Sequence, residues 1–220
     1  SKPGILLDWD GVLCDSLVIY FELYQNACAR HGKPFPIKDM QHFRAWYNPQ
    51  WEINYQQMGF NEQEFQEVLA HSKDHLDYQK ASLFESIAPT LRGWAQQFPM
   101  AIVSTTPSPL IRRRLVSEGL QDLFQIYAGG DDGKSEKRQK VGRTLQQLGT
   151  QSGVMVGDTP LDIDAGKFNG LATVGVTYGW VTAERIHQCQ PDIVIDHPSQ
   201  LDEAVRRLLA EQAKKNAPRP

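Results

Sequence analysis

The chain has 220 residues, of which 40% are hydrophobic and 22% are charged, and these proportions are ordinary for a globular protein. That length is enough for one domain with a full core, or for a core domain with a small insert. The formal net charge of -3 leaves no broad basic surface, so we expect no nucleic-acid partner.

The cysteines indicate a reducing environment. Cys14, Cys28 and Cys189 are widely spaced, show no metal-binding pattern and cannot all pair with one another. This favours an intracellular protein, and we expect a cytoplasmic location. We also expect no membrane partner, since no apolar run reaches the length of a membrane span and no signal peptide is recognisable. The sequence leaves the oligomeric state open.

Short apolar runs alternate with helical patterns along most of the chain. The runs predict buried strands at residues 5–7, 100–103, 154–156 and 173–176, with a further candidate at 192–195. Apolar residues at helical spacing predict helices at 110–118, 141–148, 161–168 and 201–215, and we expect residues 216–220 to be frayed. This order predicts an α/β fold with a doubly wound, mostly parallel sheet, whose ligands bind at the carboxyl ends of the strands.

One segment departs from this alternation. Residues 17–87 are rich in glutamine, glutamate, histidine and aromatic residues, and their patterns predict helices at 18–31, 37–46 and 62–78. We therefore expect a helical cap over residues 17–87, inserted after the first strand of a catalytic core formed by 1–16 and 88–220. A cap in this place would lie over the site as a lid.

Several cap residues are candidates for contact with a leaving group. These are Arg44, Trp46, Tyr47 and Trp51. Packing within a small core of the cap is the more frequent role for aromatic residues of this kind. Both interpretations stay open at the level of the sequence.

The first apolar run ends in two carboxylates, Asp8 and Asp10, and Gly11 follows at once. Side chains on a strand alternate between its faces, so these two acids project to the same side. Acids held so close repel each other unless a cation lies beside them, and Mg2+ prefers carboxylate oxygens. Gly11 allows a sharp turn and a close approach of the backbone to a ligand. A strand followed by an ordinary polar turn is the alternative interpretation.

Two weaker signals lie further along the chain. Ser104 and Thr105 follow the second apolar run, where a hydroxyl and free backbone N–H groups can bind phosphate. They are equally ordinary as helix caps or turn residues. Lys134 and Lys137 precede a predicted helix, and a lysine near carboxylates can neutralise a phosphate group. Solvent-exposed loop charges are the alternative here.

The second strong motif follows the run at residues 154–156. Gly157 and Asp158 end that run, and Asp162 and Asp164 lie on the first turn of the next predicted helix. Acids at a helix N-terminus stabilise the helix dipole, and this explains Asp162 and Asp164 well. It explains Asp158 much less well, because Asp158 ends a strand just as Asp8 does.

In this order the four motifs resemble those of the haloacid dehalogenase-like phosphatase superfamily, over essentially the whole chain apart from the insert. The first motif of that family reads Asp-x-Asp-Gly-Thr or Val, and residues 8–12 here read Asp-Trp-Asp-Gly-Val. The Thr-Tyr-Gly-Trp stretch at 177–180 and the helical cap resemble phosphoglycolate phosphatase-like members. The resemblance implies a Rossmann-like core.

The resemblance implies roles for four acids. Asp8 is the implied nucleophile and Asp10 the implied general acid and base, with the backbone carbonyl of Asp10 also binding Mg2+. Asp158 is implied as a direct metal ligand, and Asp162 as an acid in the outer shell of the metal. Asp10 argues against carbon–halogen chemistry, because dehalogenase members lack the second aspartate of the first motif.

The resemblance also implies a phosphate-binding set. Ser104 takes the position of the conserved hydroxyl of the second motif, and Thr105 and Gly11 offer neighbouring phosphate contacts. Spacing from the end of the following helix favours Lys137 over Lys134 as the lysine that contacts both phosphate and nucleophile. Ser104 and Lys137 are therefore expected to stabilise charge during the reaction.

Together these roles predict a Mg2+-dependent phosphatase that hydrolyses a small-molecule phosphomonoester through an aspartyl-phosphate intermediate. The partner is a small phosphorylated metabolite whose identity the sequence leaves open. One alternative is phosphoglucomutase-type phosphoryl transfer on a sugar phosphate, which uses the same motifs. The other is a catalytically silent protein that binds a phosphate ligand.

Overall fold

The computed structural model describes residues 1–133 and 135–215, and its strands form one parallel sheet. In chain order the strands are β1 (Gly4–Leu7), β2 (Met100–Val103), β3 (Ile126–Ala128), β4 (Gly153–Gly157), β5 (Ala172–Val176) and β6 (Ile193–Ile195). Their spatial order is β3-β2-β1-β4-β5-β6, and each neighbouring pair is parallel. The chain thus forms the predicted doubly wound, Rossmann-like sheet.

The runs predicted as strands are confirmed as β1, β2, β4, β5 and β6, whereas β3 was not predicted. This strand has only three residues and lies at the edge of the sheet. Its apolar run, Ile126–Ala128, is short, and Ile126 and Tyr127 remain partly exposed at the edge of the sheet.

Helices connect the strands and cover both faces of the sheet. Those outside the insert are α5 (Ile87–Ala95), α6 (Ser108–Val116), α7 (Lys137–Leu148), α8 (Pro160–Phe168), α9 (Ala183–Gln188) and α10 (Leu201–Lys215). The helices predicted at 110–118, 141–148, 161–168 and 201–215 are confirmed as α6, α7, α8 and α10. The predicted fraying of 216–220 concerns a segment outside the described residues. Within the described part of the chain, no helix is long and apolar enough to cross a membrane.

Alternation along β1 divides the core between the two faces. Leu6 packs in one cluster with Val141 of α7, whereas Leu7 packs in the other with Leu91 of α5 and Val205 of α10. Successive strand side chains point to opposite faces, so β1 is apolar at every position because both of its faces are covered.

The segment between β1 and α5 is helical, as predicted. It contains α1 (Leu17–Arg30), α2 (Met40–Trp46), α3 (Glu52–Gln57) and α4 (Glu62–His75), followed by a 3-10 turn at Tyr78–Lys80. The short helix α3 was not predicted, and α4 ends before the predicted boundary. The division into a cap over 17–87 and a core stays a prediction.

Aromatic side chains form the centre of this insert. Phe43 is fully buried and lies among Tyr24, Tyr47 and Trp46, with ring centroids 5.5–5.9 Å apart. We call these residues, together with Trp180, the insert cluster. Trp180 follows β5 and therefore joins the insert to the rest of the protein, at 5.0 Å from Tyr47 between centroids. The aromatic candidates for substrate contact thus pack on other rings of the protein: Trp46 and Tyr47 on Phe43, and Trp51 on Tyr55 and Phe65.

The strand order determines where the functional motifs meet. β1 lies between β2 and β4, and Leu7 is in register with Ile102 of β2 and Val156 of β4. The residues that follow these three strands therefore emerge side by side at one edge of the sheet. A doubly wound sheet binds its ligands at this carboxyl edge, where the strand order reverses.

Replacing Gly153 with alanine should strongly destabilise this central strand pair. Gly153 pairs with Gly4 at a φ of +153°, and a Cβ at this position would overlap the carbonyl oxygen of Gly4. We expect the free energy of unfolding, measured by urea denaturation, to fall by about 3 kcal/mol. Gly170→Ala is the matched control, since Gly170 has a φ of +71° with open space around it and should cost only about 1 kcal/mol. Equal losses in the two variants would contradict the close approach of β1 and β4.

Candidate active site

Three buried carboxylates meet at the carboxyl edge of the sheet. Asp8 follows β1, Asp158 follows β4 and Asp162 lies in the first turn of α8, and one oxygen from each lies within 4.8 Å of the others. Asp158 and Asp162 are each only 1% exposed. We call these three side chains the acid cluster.

Lys137 supplies positive charge to the acid cluster. It is the first residue of α7, and its Nζ lies 3.0 Å from Asp162 Oδ1 and 3.5 Å from Asp8 Oδ1. The same Nζ donates a hydrogen bond of 2.9 Å to the carbonyl oxygen of Val103 at the end of β2. Burial works to lower the pKa of Lys137, but the carboxylates of Asp162 and Asp8 outweigh it and hold that pKa above its ordinary value.

One lysine does not compensate three carboxylates. Burial raises the pKa of Asp8, and repulsion from Asp162 raises it further, against the attraction of Lys137. Burial also raises the pKa of Asp158, with Asp162 again adding to the effect. Positive charge placed beside Asp8 and Asp158 would oppose both effects. The acid cluster is therefore suited to a cation.

The donor atoms fit a hard divalent cation. Asp158 Oδ1 is buried and finds no hydrogen-bond partner within the described residues, a costly state for a carboxylate oxygen. Its other oxygen, Oδ2, accepts a hydrogen bond of 2.8 Å from the backbone N–H of Trp180. Asp158 is thus held by one oxygen, while the other is buried without a partner in the described part of the chain. Carboxylate oxygens in this arrangement suit Mg2+.

Asp162 is used differently from Asp158. Its Oδ2 accepts hydrogen bonds from the backbone N–H of Asp158 at 3.2 Å, and from the N–H and the hydroxyl of Thr159, both at 3.1 Å. Its Oδ1 pairs with Lys137. Because its contacts are with the protein, Asp162 is suited to orient Asp158 and Lys137 rather than to bind a metal directly.

Two glycines leave room for Asp158. Gly11 has a φ of +75°, and a Cβ there would overlap Asp158 Oδ2. A Cβ on Gly179 would meet the same carboxylate. The sharp turn expected at Gly11 is therefore present. It brings the backbone of Gly11 against the carboxylate of Asp158.

Asp10 occupies a different environment, made of neutral hydroxyl groups. Its Oδ1 accepts hydrogen bonds from Ser16 Oγ at 2.7 Å and from the hydroxyl of Tyr78 at 2.6 Å. Its Oδ2 accepts one from Thr106 Oγ1 at 2.6 Å. Burial raises the pKa of Asp10, and the three hydroxyl donors oppose that rise.

The loop after β2 divides its three hydroxyl residues among different environments. Ser104 is 1% exposed, and its Oγ accepts a hydrogen bond of 3.0 Å from the backbone N–H of Thr106. Thr106 is buried and contacts Asp10, whereas the side chain of Thr105 is exposed. The structure thus places Thr106 at Asp10, and the phosphate contacts at Ser104 and Thr105 stay predictions.

A second buried lysine lies one turn beyond Lys137. Lys140 donates hydrogen bonds to the carbonyl oxygens of Ser104 at 3.1 Å and Gly129 at 2.8 Å, and it pairs with Asp132 at 3.1 Å. Lys140 therefore supports the loop that carries Ser104. Lys134, the alternative to Lys137 at the level of the sequence, lies outside the described residues.

Sequence reasoning missed four residues that build the site. Ser16 and Thr106 lie close to recognised motifs, and a hydroxyl beside an acidic motif was a signal that could have identified them. Lys140 follows Lys137 at helical spacing, and this spacing could also have identified it. Tyr78 lies 68 positions after Asp10, so only the fold brings the two together.

Residues 5–176 match the family described as haloacid dehalogenase-like hydrolase. The chain belongs to this family.

Its relatives in the haloacid dehalogenase-like family include phosphatases. The chain is 36% identical to the phosphoglycolate phosphatase of Pectobacterium atrosepticum over 121 residues, 53% of this chain and only about half (52%) of that relative. It is 28% identical to the phosphoglycolate phosphatase of Yersinia pestis over 218 residues, 92% of each chain. A crystal structure of a predicted phosphatase from Clostridium acetobutylicum shares the fold, with a TM-score of 0.80 and 19% identity over 94% of this chain and 99% of that one. The predicted family is confirmed.

Lys137→Ala should reduce kcat/KM by at least about a hundredfold, because it removes the buried positive charge beside Asp8. The measurement is phosphate release from an aryl phosphate in the presence of Mg2+. Lys134→Ala should change kcat/KM only a few-fold, and Lys140→Met should mainly lower the temperature of unfolding. If Lys134→Ala lowers kcat/KM more than Lys137→Ala does, Lys134 is the lysine that contacts the phosphate. If both variants lower kcat/KM only slightly, neither lysine has this role.

Proposed function

We propose that the chain is a Mg2+-dependent phosphatase that hydrolyses a small-molecule phosphomonoester through an aspartyl-phosphate intermediate. The observation that carries this proposal is the environment of Asp8. Its Oδ1 takes a hydrogen bond of 2.7 Å from the backbone N–H of Trp9 and faces Lys137, while Asp158, one of whose oxygens has no partner among the described residues, belongs to the same acid cluster. An oriented carboxylate beside a lysine, among acids suited to hold a cation, fits attack on a phosphate dianion.

In the first step Asp8 is the nucleophile. Both described contacts of its carboxylate are made by Oδ1, so Oδ2 is the oxygen available for in-line attack. A lone pair of this oxygen forms the new bond to phosphorus, and the bond from phosphorus to the leaving oxygen breaks with its electron pair. The product is an acyl phosphate on Asp8, which water then hydrolyses.

Asp10 is the general acid and base of both steps. As an acid it gives its proton to the leaving alkoxide oxygen, and as a base it takes a proton from the water that attacks the aspartyl phosphate. Its partners are neutral hydroxyls, whereas Asp8 faces a lysine. Two carboxylates in unlike environments are suited to unlike roles.

Charge on the transferring phosphoryl group is stabilised by residues at the strand ends. Lys137 Nζ lies between Asp8 and Asp162 and can reach an equatorial oxygen. We propose that the Ser104 hydroxyl and the backbone N–H of Thr105 provide further contacts. Gly11 is also a candidate, although its own N–H already donates a hydrogen bond of 3.0 Å to the carbonyl oxygen of Cys14. Donors held in place before the reaction cost no reorganisation when charge develops.

Mg2+ would be held by Asp8, by the backbone carbonyl of Asp10 and by Asp158, with Asp162 orienting Asp158 from the outer shell. Bound there, Mg2+ supplies Lewis-acid stabilisation of phosphoryl oxygens and offsets their repulsion from Asp8. The partnerless Asp158 Oδ1 supports this assignment.

The proposed substrate is a small phosphorylated metabolite. Phosphoglycolate is the first compound to test, because several relatives are phosphoglycolate phosphatases. The cap would close over it and exclude water. We also propose a cytoplasmic location, supported by free cysteines such as Cys14 and Cys28, which are buried as thiols.

Two alternatives can be separated from hydrolysis by product analysis. A phosphoglucomutase-type enzyme would convert a hexose phosphate into its isomer without release of phosphate. A catalytically silent binding protein would bind phosphate and release none from any ester. The oriented Asp8 and Asp10 favour turnover, since binding alone requires neither a nucleophile nor a proton donor.

Asp8→Asn should abolish phosphate release from 4-nitrophenyl phosphate while leaving the circular dichroism spectrum unchanged. Asparagine keeps the shape of the side chain but removes the attacking charge. Asp10→Asn should lower kcat by roughly 10²–10⁴-fold, the usual contribution of proton transfer. Asp122→Asn is the matched control, because Asp122 is exposed and distant in sequence from the motifs, and it should retain full activity. Comparable activity in Asp8→Asn would remove the covalent mechanism.

Mg2+ should stabilise the folded protein even without substrate. At about one hundred times its Kd, a ligand specific for the folded state adds about 2.7 kcal/mol. For a chain of this size that is a rise of roughly 5–10 °C in Tm, measured by differential scanning fluorimetry. Asp158→Asn should lose most of this rise, and Asp122→Asn should keep it. An unchanged Tm of the wild-type protein in Mg2+ would count against the metal site.

A further inference from the structure

Hydroxyl groups from distant parts of the chain form one connected network on Asp10. Tyr78 and Thr106 both contact its carboxylate, and their own oxygens lie 3.0 Å apart. The hydroxyl of Tyr20 lies 2.7 Å from that of Tyr78 and 3.4 Å from that of Thr106. Ser16 is the fourth hydroxyl, at 2.7 Å from Asp10 Oδ1.

Counting protons gives this network a direction. Each hydroxyl has one proton, and an ionised carboxylate only accepts. The protons of Ser16, Tyr78 and Thr106 are therefore all committed to Asp10. The short contact between Tyr20 and Tyr78 then requires the proton of Tyr20, so Tyr20 donates to Tyr78 and Tyr78 donates to Asp10.

The network also joins separate parts of the fold. Tyr20 lies on α1 of the insert, Tyr78 lies in the 3-10 turn where the chain returns from the insert, and Thr106 follows β2. The ring of Tyr20 packs at 4.7 Å from that of Trp180, between centroids, and the backbone of Trp180 holds Asp158. The position of the insert is thereby connected to both Asp10 and Asp158.

We propose that Tyr78, itself held by Tyr20, is a positioning residue that orients Asp10 for proton transfer to the leaving group. This inference rests on the proposed function. Oδ1 of Asp10 takes two donors and Oδ2 only one, so Tyr78 and Ser16 fix Oδ1 as the acceptor. Oδ2 is then the oxygen that carries the proton to the leaving oxygen, whose bond to phosphorus breaks with its electron pair.

This role predicts a dependence on the leaving group. 4-Nitrophenolate leaves readily without a proton, whereas phenolate is more basic and gains more from general-acid catalysis. Tyr78→Phe keeps the ring that packs at 6.0 Å from Trp9, between centroids, and removes only the hydroxyl. Its defect should therefore be larger for phenyl phosphate than for 4-nitrophenyl phosphate, two substrates of nearly the same shape.

The experiment compares kcat/KM for both esters with Mg2+, since kcat/KM reports the steps up to formation of the aspartyl phosphate. Tyr78→Phe should lose about tenfold or more on phenyl phosphate and no more than about threefold on 4-nitrophenyl phosphate. We compare variants by the ratio of kcat/KM for phenyl phosphate to kcat/KM for 4-nitrophenyl phosphate, which Tyr78→Phe should lower. Tyr20→Phe should lower this ratio less than Tyr78→Phe does, and Asp10→Asn should lower it more. Tyr127→Phe is the matched control, because its hydroxyl donates to the backbone of Gln121 in the β3 region, and its ratio should equal that of the wild type.

Equal losses on both esters in Tyr78→Phe would overturn the positioning role, because a general structural defect affects both alike. An unchanged kcat/KM on both would overturn it as well. If the wild-type protein hydrolyses neither ester, the proposed function itself fails. A wild-type enzyme active on both esters with an unshifted ratio in Tyr78→Phe contradicts the inference alone.

Discussion

The structure depends on one constraint, the burial of several carboxylates at a single edge of the sheet. Asp8, Asp158 and Asp162 lie within 4.8 Å of one another, and burial raises the pKa of Asp8 and Asp158. Burying such a cluster strongly destabilises the folded state unless positive charge lies beside it. Lys137 begins α7 at the point where its Nζ can reach both the cluster and the carbonyl of Val103. The strand order brings Asp8 and Asp158 together, and the start of α7 places Lys137 beside the acid cluster.

The constraint extends beyond the acids to the backbone around them. Asp158 fits only because Gly11 and Gly179 carry no Cβ, and it is oriented by the N–H of Trp180. Trp180 in turn belongs to the insert cluster, where Tyr47 packs against it. Arg44 of α2 adds a hydrogen bond of 2.9 Å to the carbonyl of Gly179. Packing of the insert therefore acts on the loop that holds a proposed metal ligand.

What could be predicted from the sequence follows from short-range regularities. Asp8 and Asp158 end apolar runs, and parallel strands bring such ends together, so their meeting was predictable from spacing alone. The strand β3 was missed because it is short and partly exposed. Tyr78 could not be assigned to Asp10, because this contact spans 68 positions and depends on the path of the insert. Thr106 differs from Tyr78, since it follows β2, which pairs with β1 in the sheet.

Two aspartates two residues apart acquire different chemistry from their neighbours. Asp8 shares a cluster with other acids, and the positive charge of Lys137 stabilises its carboxylate. Asp10 faces three neutral hydroxyls, which stabilise the carboxylate yet can reorient when it takes up a proton, since a hydroxyl both donates and accepts. A fixed cation would favour one protonation state permanently. Neutral, rotatable partners are therefore what a residue that alternates between acid and base requires, and the surroundings of Asp10 meet that requirement while those of Asp8 do not.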